Sequence, residues 1–526
     1  AAMYAVEGAV CRWLQPANSD LEEVMVGSCR VAFRLAGLLL SGFAVRAEAE
    51  LLAGTAKREI TDPNTPSNDP LYARALVLKQ GETTAVLITV DAVSIGGIGH
   101  IRDSYLSEVR AALAEAPGIA PLNIFVNASH CHGVVSGDVA ALTVEAVREA
   151  WGKLEPVRAG AGVGQEVRIM ENRRLRLVDG SEADVRRAYA MPWDDEVAGI
   201  GPVDPEIGLL RLDRADGSVL AVVYNFACHP IMGVPTGLSS ADFPGFATGV
   251  IEEQLGRGAM AFFVQGCAGD INPVIYKDTA APRDCEPFGT MLGLNVLRGL
   301  RTIEQTAEGA PLRVLNSPLS LPRATDFEKR IRAIESEQQR LLSAFRGSSL
   351  NFKTFVPLYI QQKLHPEFPG FYSHRYMLDE ANGRKDMQQL DAENKAAVDA
   401  YLENIRTMEK LTRLQTNLNL LKMHQKQTQE AGSPNLEVEV GGLRVGEFVL
   451  TTFPGELTVQ IGLNIKQASP HRFTFVAGYT NGYIYYTPTS EQRLNTGYAQ
   501  EDCDVLVAPE WQGLFEARVA EVLKQL

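Results

Sequence analysis

The sequence predicts a mixed α/β fold, with mixed β-sheets flanked by helices and a helical hairpin inserted. Three observations carry this. Short apolar runs of strand length alternate with segments of helical period. Several of those runs end in loops rich in Gly, Pro or His, as strand ends do when a rigid sheet presents functional groups. From about residue 325 to 430 the pattern turns to sustained helical spacing.

In order along the chain, a short basic region at 25–34 precedes the apolar stretch LAGLLLSGFAV (35–45) and the small-residue site Ala47-Glu48-Ala49. This is the layout of a secretory signal over 25–49, with residues 1–24 an upstream extension and a secreted or periplasmic destination. The same stretch is compatible with an ordinary amphipathic helix. Residues 51–63 read as a strand entering a turn, 84–93 (TAVLITVDAV) as a buried strand, and 101–116 as a helix. LNIFVNASHCHG (122–133) is a strand with its terminal loop. Residues 206–213 and 218–230 form a hairpin whose turn, Arg214-Ala-Asp-Gly217, carries the Asp-Gly pair suited to a tight reversal. A helix at 245–256 leads into a strand and glycine-rich loop at 259–273.

The inserted segment has two helical runs. Phe327, Ile331, Ile334, Leu341, Leu342 and Phe345 follow the cap candidate Asp326, and Val398, Leu402, Ile405, Met408, Leu411, Leu414, Leu418 and Leu421 step by three and four. An aromatic, proline-bearing loop is expected between them at 355–377. The seam reads as plain core, with a cap over a site or a dimer contact as the alternatives. Strands resume at 435–456 and a helix closes the chain at 510–526.

The chain has 526 residues, a net charge of −14, 45% hydrophobic and 22% charged residues. That balance is ordinary for a soluble globular protein, and the lack of any dense Lys/Arg cluster argues against a nucleic-acid partner. No stretch after the leader reads as a transmembrane segment. Cys131, Cys228, Cys267, Cys285 and Cys503 remain after the leader, an odd and sparse set that is not a disulfide framework, though one bridge is allowed.

Potential metal ligands gather at the strand ends. His130 and His132 follow the strand ending at Val126, and their i, i+2 spacing on extended backbone puts both rings on one side. His229 follows LAVVYNFAC, and Glu456 follows VGEFVLTTF through Pro454-Gly455. Tyr483, Tyr485 and Tyr486 lie in AGYTNGYIYY. Neutral imidazoles with one carboxylate form the usual open catalytic zinc set, but spacing alone does not show that these groups converge.

The motifs resemble those of the neutral (non-lysosomal) ceramidases over most of the chain after the leader. The matching pieces are Arg58-Glu59-Ile60-Thr61-Asp62, His130-Cys131-His132-Gly133, Asn172-Arg173, Phe226-Ala227-Cys228-His229-Pro230, Ser240-Ala-Asp242-Phe-Pro-Gly245-Phe-Ala247, Pro454-Gly455-Glu456 and Thr480-Asn481-Gly482-Tyr483-Ile484-Tyr485-Tyr486. The resemblance implies one Zn2+ held by His130, His229, Glu456 and Tyr486, with a zinc-activated water attacking an amide carbonyl. It implies that His132, Arg173 and Tyr498 line the reaction centre. Arg173 and Tyr498 would donate to the developing oxyanion and His132 would carry a proton to the leaving amine. Asp242 is read either as orienting a ligand histidine or as a loop cap.

Two departures from the family pattern bear on the substrate. Gly266, in Gln265-Gly266-Cys267-Ala268-Gly269-Asp270, stands where the family carries a serine, which excludes any mechanism needing that hydroxyl. The chain is also expected to lack the family's C-terminal β-sandwich, with the zinc hydrolase domain at 50–324 and 431–526 and the helical insertion at 325–430. The expected activity is hydrolysis of an N-acyl amide in a small-molecule or lipid-like substrate. A smaller acylated sugar, amino acid or ester, or a non-catalytic metal-binding relative, are the competing readings.

Overall fold

The computed structural model describes residues 49–526 except 186–190, 275, 277–279, 281, 305–309, 371–372 and 498. The expected leader (save Ala49) and Tyr498 therefore lie outside the described residues. Along the chain run β1 (Leu52–Glu59), β2 (Tyr72–Gln80), β3 (Thr83–Val90), α1 (Tyr105–Glu115), β4 (Ile124–Ala128), α2 (Val139–Gly152) and β5 (Glu155–Gln165). Short strands β6 (Met170–Asn172), β7 (Arg174–Leu177), β8 (Glu182–Asp184) and β9 (Val197–Ile200) precede the hairpin β10 (Glu206–Arg214) and β11 (Val219–Phe226). Then come α3 (Asp242–Leu255), β12 (Met260–Gln265), β13 (Ile271–Pro273) and α4 (Glu286–Leu300).

The C-terminal part holds β14 (Leu312–Pro322), α5 (Phe327–Ala344), α6 (Phe352–Leu364), α7 (Ser373–Ala381), α8 (Asp386–Ala431), β15 (Asn435–Val445) and β16 (Phe448–Thr452). It ends with β17 (Glu456–Leu457), α9 (Val459–Ala468), β18 (Phe473–Ala477), β19 (Tyr486–Thr487) and α10 (Trp511–Gln525). An eight-stranded sheet has the order β12-β11-β10-β5-β1-β2-β3-β4, and a four-stranded sheet the order β14-β15-β16-β18. Within these two sheets the strands are antiparallel except for the pairs β3–β4, β11–β12 and β16–β18.

The period-2 alternation of the strands builds the layers. In β3, Ala85 and Leu87 face a core shared with Phe125, Leu210, Val223, Leu443, Leu450 and Phe475, which joins the inner faces of the two sheets. Val86, Ile88 and Val90 face the opposite way, against Tyr105, Val109 and Leu113 of α1 and Val144 and Val147 of α2. At the other end of the same sheet, Val222, Tyr224 and Phe263 pack on α3 and α4. The outer face of the small sheet is covered by Ile461 and Ile465 of α9 and Trp511, Phe515 and Val519 of α10. Burial on both faces is why β3, β4 and β11 read as nearly continuous apolar runs. This helix–sheet–sheet–helix layering is the mixed α/β fold the sequence predicts.

Strand β2 is absent from the sequence-predicted elements, although it pairs with β1 over Tyr72–Lys79 and with β3 over Ala73–Gln80. The inserted segment also differs from a simple hairpin. Residues 355–377 were expected as loop, yet α6 and α7 occupy much of that stretch. Asn351 caps α6 by accepting from the Thr354 amide while Thr354 bonds back to the Asn351 amide. Pro357 sits inside α6, and reading it as a breaker hides the helix. The insertion connects two adjacent antiparallel strands, since Pro322 of β14 pairs with Asn435 of β15. All five described cysteines are free and buried. Among the described residues no helix is long and apolar enough to cross a membrane.

Candidate metal centre

The parallel pairs decide where the site forms. β4 and β11 leave the large sheet, and β16 and β18 the small one, with their C-terminal ends together. Asn127 in β4 ties these ends. Its Oδ1 accepts from the Gln265 amide, and its Nδ2 donates to Gly478 O and Thr480 Oγ1. Asn481 Oδ1 accepts from the Val126 amide. The loops carrying His130, His229, Glu456 and Tyr479 are thereby fixed around one point.

His130, His229 and Glu456 converge there, all buried, with one ligand atom from each lying within 4.8 Å of the others. His130 Nδ1 lies 2.6 Å from Val93 O and His229 Nδ1 lies 3.0 Å from Ile271 O. Only a protonated Nδ1 can make those bonds, which assigns the tautomer and leaves Nε2 of each ring bare. The bare nitrogens face Glu456 Oε2, at 3.1 Å from His229 and 3.6 Å from His130. Two lone pairs and a carboxylate thus point at one another, so the arrangement calls for a cation or a bound proton between them. Its chemistry fits a divalent metal with N and O ligands.

Burial drives His130 down to about 4, against the attraction of Glu456, so its ring is neutral near pH 7. Burial works against the charge of Glu456 as well, but the facing His130 and His229 and the Tyr483 hydroxyl hold it well below the ordinary carboxylate range. Tyr479 donates to Glu456 Oε2 at 3.2 Å and Tyr483 donates to Oε1. Burial, reinforced by the Glu456 charge, raises both phenols and keeps them protonated as donors. His130, Tyr479 and Tyr485 have φ of 69°, 52° and 62°. Such left-handed backbone in non-glycine residues clusters where surrounding structure enforces a geometry.

Tyr486 stands opposite Glu456 in the parallel β17–β19 pair, and its ring stacks on His229 at 6.5 Å between centroids. His132 is exposed beside the site, with its ring centroid 5.7 Å from that of His130. Crowding by surrounding protein holds its pKa low, at about 4, with His130 adding to the effect. Arg173 is 1% exposed. Its Nε donates to Glu501 at 2.7 Å, Nη1 to Asn272 Oδ1 at 3.0 Å and Nη2 to Gly269 O at 2.6 Å. Its guanidinium lies over the Tyr486 ring at 5.5 Å. Although burial opposes the charge, Glu501 and Tyr486 keep Arg173 firmly cationic.

Asp242 is placed differently from an orienting carboxylate. It accepts from the backbone amides of Gly233 and Phe243 at 2.6 and 2.7 Å, which is the loop-capping role. Gly266 leaves little room for a side chain, because a Cβ there would lie 3.1 Å from the backbone carbonyl of Phe226.

The sequence reading does not single out Tyr479, Asn127 or Glu501. Tyr479 and Asn127 sit within or beside quoted motifs, so position within a strand-end loop was their available signal. Glu501 gave none, since its partner Arg173 is 328 residues away.

No family model and no curated protein matches the chain. Solved structures share its fold. The crystal structure of neutral ceramidase from Pseudomonas aeruginosa is 16% identical with a TM-score of 0.56, covering 90% of this chain and 74% of that one. A ceramidase complexed with C2 is 17% identical with a TM-score of 0.56, covering 90% and 75% respectively. At these identities the likeness is one of fold.

Proposed function

We propose that this chain is a secreted or periplasmic zinc-dependent hydrolase that cleaves an N-acyl amide bond in a ceramide-like lipid. The observation that carries the reading is the convergence of His130, His229 and Glu456 acceptors within 4.8 Å, on a fold shared with neutral ceramidases. His130, His229 and Glu456, with Tyr486 beside them, would hold the metal. A bound zinc supplies Lewis acidity and lowers the pKa of water toward neutrality.

The chain's own groups do the rest. The Val93 and Ile271 carbonyls fix both imidazoles with Nε2 inward. Tyr479 and Tyr483 orient the Glu456 carboxylate and keep it ionised. Arg173 holds a fixed positive charge over Tyr486, which would stabilise a developing oxyanion through its field. His132, solvent-accessible and neutral near pH 7, would pass a proton to the departing amine. Tyr498 is assigned to the oxyanion by motif.

A second reading, a smaller polar N-acyl substrate, draws support from a cleft of about 1030 Å³ lined by Arg174, Arg176, Glu182, Gln492 and Asn495. That cleft also reaches Asn172 and Asp270, whose neighbours form the Arg173 network. Incubating zinc-loaded protein with N-acyl sphingoid and N-acyl amino acid or sugar substrates, and measuring the free amine released, separates the readings. Amine release from the lipid that vanishes in His229→Ala supports the first. Release in His229→Ala equal to wild type refutes the zinc mechanism for either.

A further inference from the structure

Four consecutive residues, Glu501-Asp502-Cys503-Asp504, each bond to a different part of the molecule. Glu501 holds Arg173, and Asp502 accepts from Arg174 at 2.8 Å. Cys503 Sγ receives Arg330 of α5 at 3.3 Å, and Asp504 Oδ1 lies 2.7 Å from His424 Nε2 of α8. The first two side chains hold the Arg173–Arg174 pair, of which Arg173 lies over Tyr486, and the last two face the insertion. The segment also carries the strand that presents Tyr486. The Tyr486 amide donates to Asp504 O at 3.1 Å, and Tyr485 bridges to Val505.

The insertion grips the residue next to Tyr486 as well. Gln427 of α8 donates to the Tyr485 hydroxyl at 2.9 Å, and the His424 ring meets the Tyr485 ring edge-on at 4.6 Å. Tyr485 is in the left-handed region at φ 62°. That turn lets its side chain reach α8 while the next residue stacks on His229 and pairs with Glu456. A non-glycine residue there is strained and persists only if its neighbours hold it. His424, fully buried in α8 of the insertion, supplies that hold. Phe327, Ile331, Leu418 and Leu421 of the insertion form one apolar cluster with Cys503, so the grip is built into packing.

We propose that the inserted helix α8 is a positioning clamp: Gln427 and His424 hold Tyr485 and Asp504 so that Tyr486 is set against the His130–His229–Glu456 group. The inference rests on the zinc reading of that group. It assigns the insertion a part in assembling the metal centre, in place of the plain core, cap or dimer contact its sequence suggests.

The test is the zinc dissociation constant of the full chain, measured by competition with a chromophoric chelator, alongside the melting temperature of the zinc-free protein. Tyr485→Phe removes the Gln427–Tyr485 hydrogen bond alone, whereas Gln427→Leu also removes the contact of Gln427 Oε1 with His424 Nδ1 at 3.0 Å. Each should weaken zinc binding about tenfold or more, as loss of an outer-sphere partner does, and the double variant should match Gln427→Leu, which already lacks the bond to Tyr485. His424→Ala should weaken it further, and His424→Gln, which still reaches Asp504, should recover part of the loss. Melting changes with wild-type zinc affinity in all variants would make the contacts merely structural and overturn the clamp. Glu456→Ala separates the two claims. If it binds zinc as wild type does, the metal reading itself fails. If it loses zinc while the clamp variants keep wild-type affinity, only the clamp fails.

Discussion

Replacing Arg173 by Met tests the buried charge network beside the site. The guanidinium and the Glu501 carboxylate are both at most 1% exposed and lie 2.7 Å apart. Removing the arginine leaves Glu501 with the longer contact to Arg174 at 3.6 Å in place of its 2.7 Å pair, strips Asn272 and Gly269 O of a donor, and leaves Asp184, 3.8 Å from Nε, facing one charge fewer. Breaking such a buried pair from one side costs about 3–5 kcal/mol. With an unfolding entropy near 2.1 cal/mol/K per residue, a compact unit spanning Glu48–Leu526 melts with an entropy of about 1 kcal/mol/K. The midpoint should therefore fall by roughly 3–5 °C. Scanning calorimetry of the zinc-free protein measures it, which separates folding from metal loading. The double variant Arg173→Met/Glu501→Leu should recover most of the loss, because it removes the charge left behind. A single variant melting within about 1 °C of wild type would refute the reasoning.

Tyr483→Phe removes a donor to Glu456 and should weaken zinc binding about tenfold with little change in fold, read by chelator competition; unchanged affinity would detach Tyr483 from the centre. Below neutrality the zinc-free protein should lose stability. His130 and His132 have folded pKa values depressed to about 4 from 6.5, so their contribution is present above 6.5 and is lost as pH falls toward 4. Denaturant midpoints across that window should fall less in His130→Gln than in wild type, and equal falls would count against the assignment. Gly266→Ser should be destabilising by about 1–3 kcal/mol through contact with the Phe226 backbone, and should not raise turnover; a more active variant would show that the family hydroxyl still has a place here.

The fold was legible where strands are buried on both faces, as in β3 and β11, because such strands announce themselves as apolar runs. It was least legible where local rules mislead. Pro357 reads as a breaker but lies within the capped helix α6, and β2, with Arg74, Lys79 and Gln80 among its apolar residues, lacks a clean run. The candidate metal ligands could be picked out because each follows a strand end, and the resemblance ordered them. Their second layer could not. The carbonyls of Val93 and Ile271 carry no side-chain signature, and the partners Arg173–Glu501 and His424–Asp504 are separated by 328 and 80 residues. Such pairings belong to tertiary packing, and no periodicity encodes them.

The most direct measurement is anomalous diffraction at the zinc edge from crystals of the zinc-loaded chain. One peak should appear about 2.0–2.2 Å from His130 Nε2, His229 Nε2 and a Glu456 carboxylate oxygen, within reach of the Tyr486 hydroxyl. Zinc bound elsewhere, or no peak while the three side chains keep their present positions, would contradict the account.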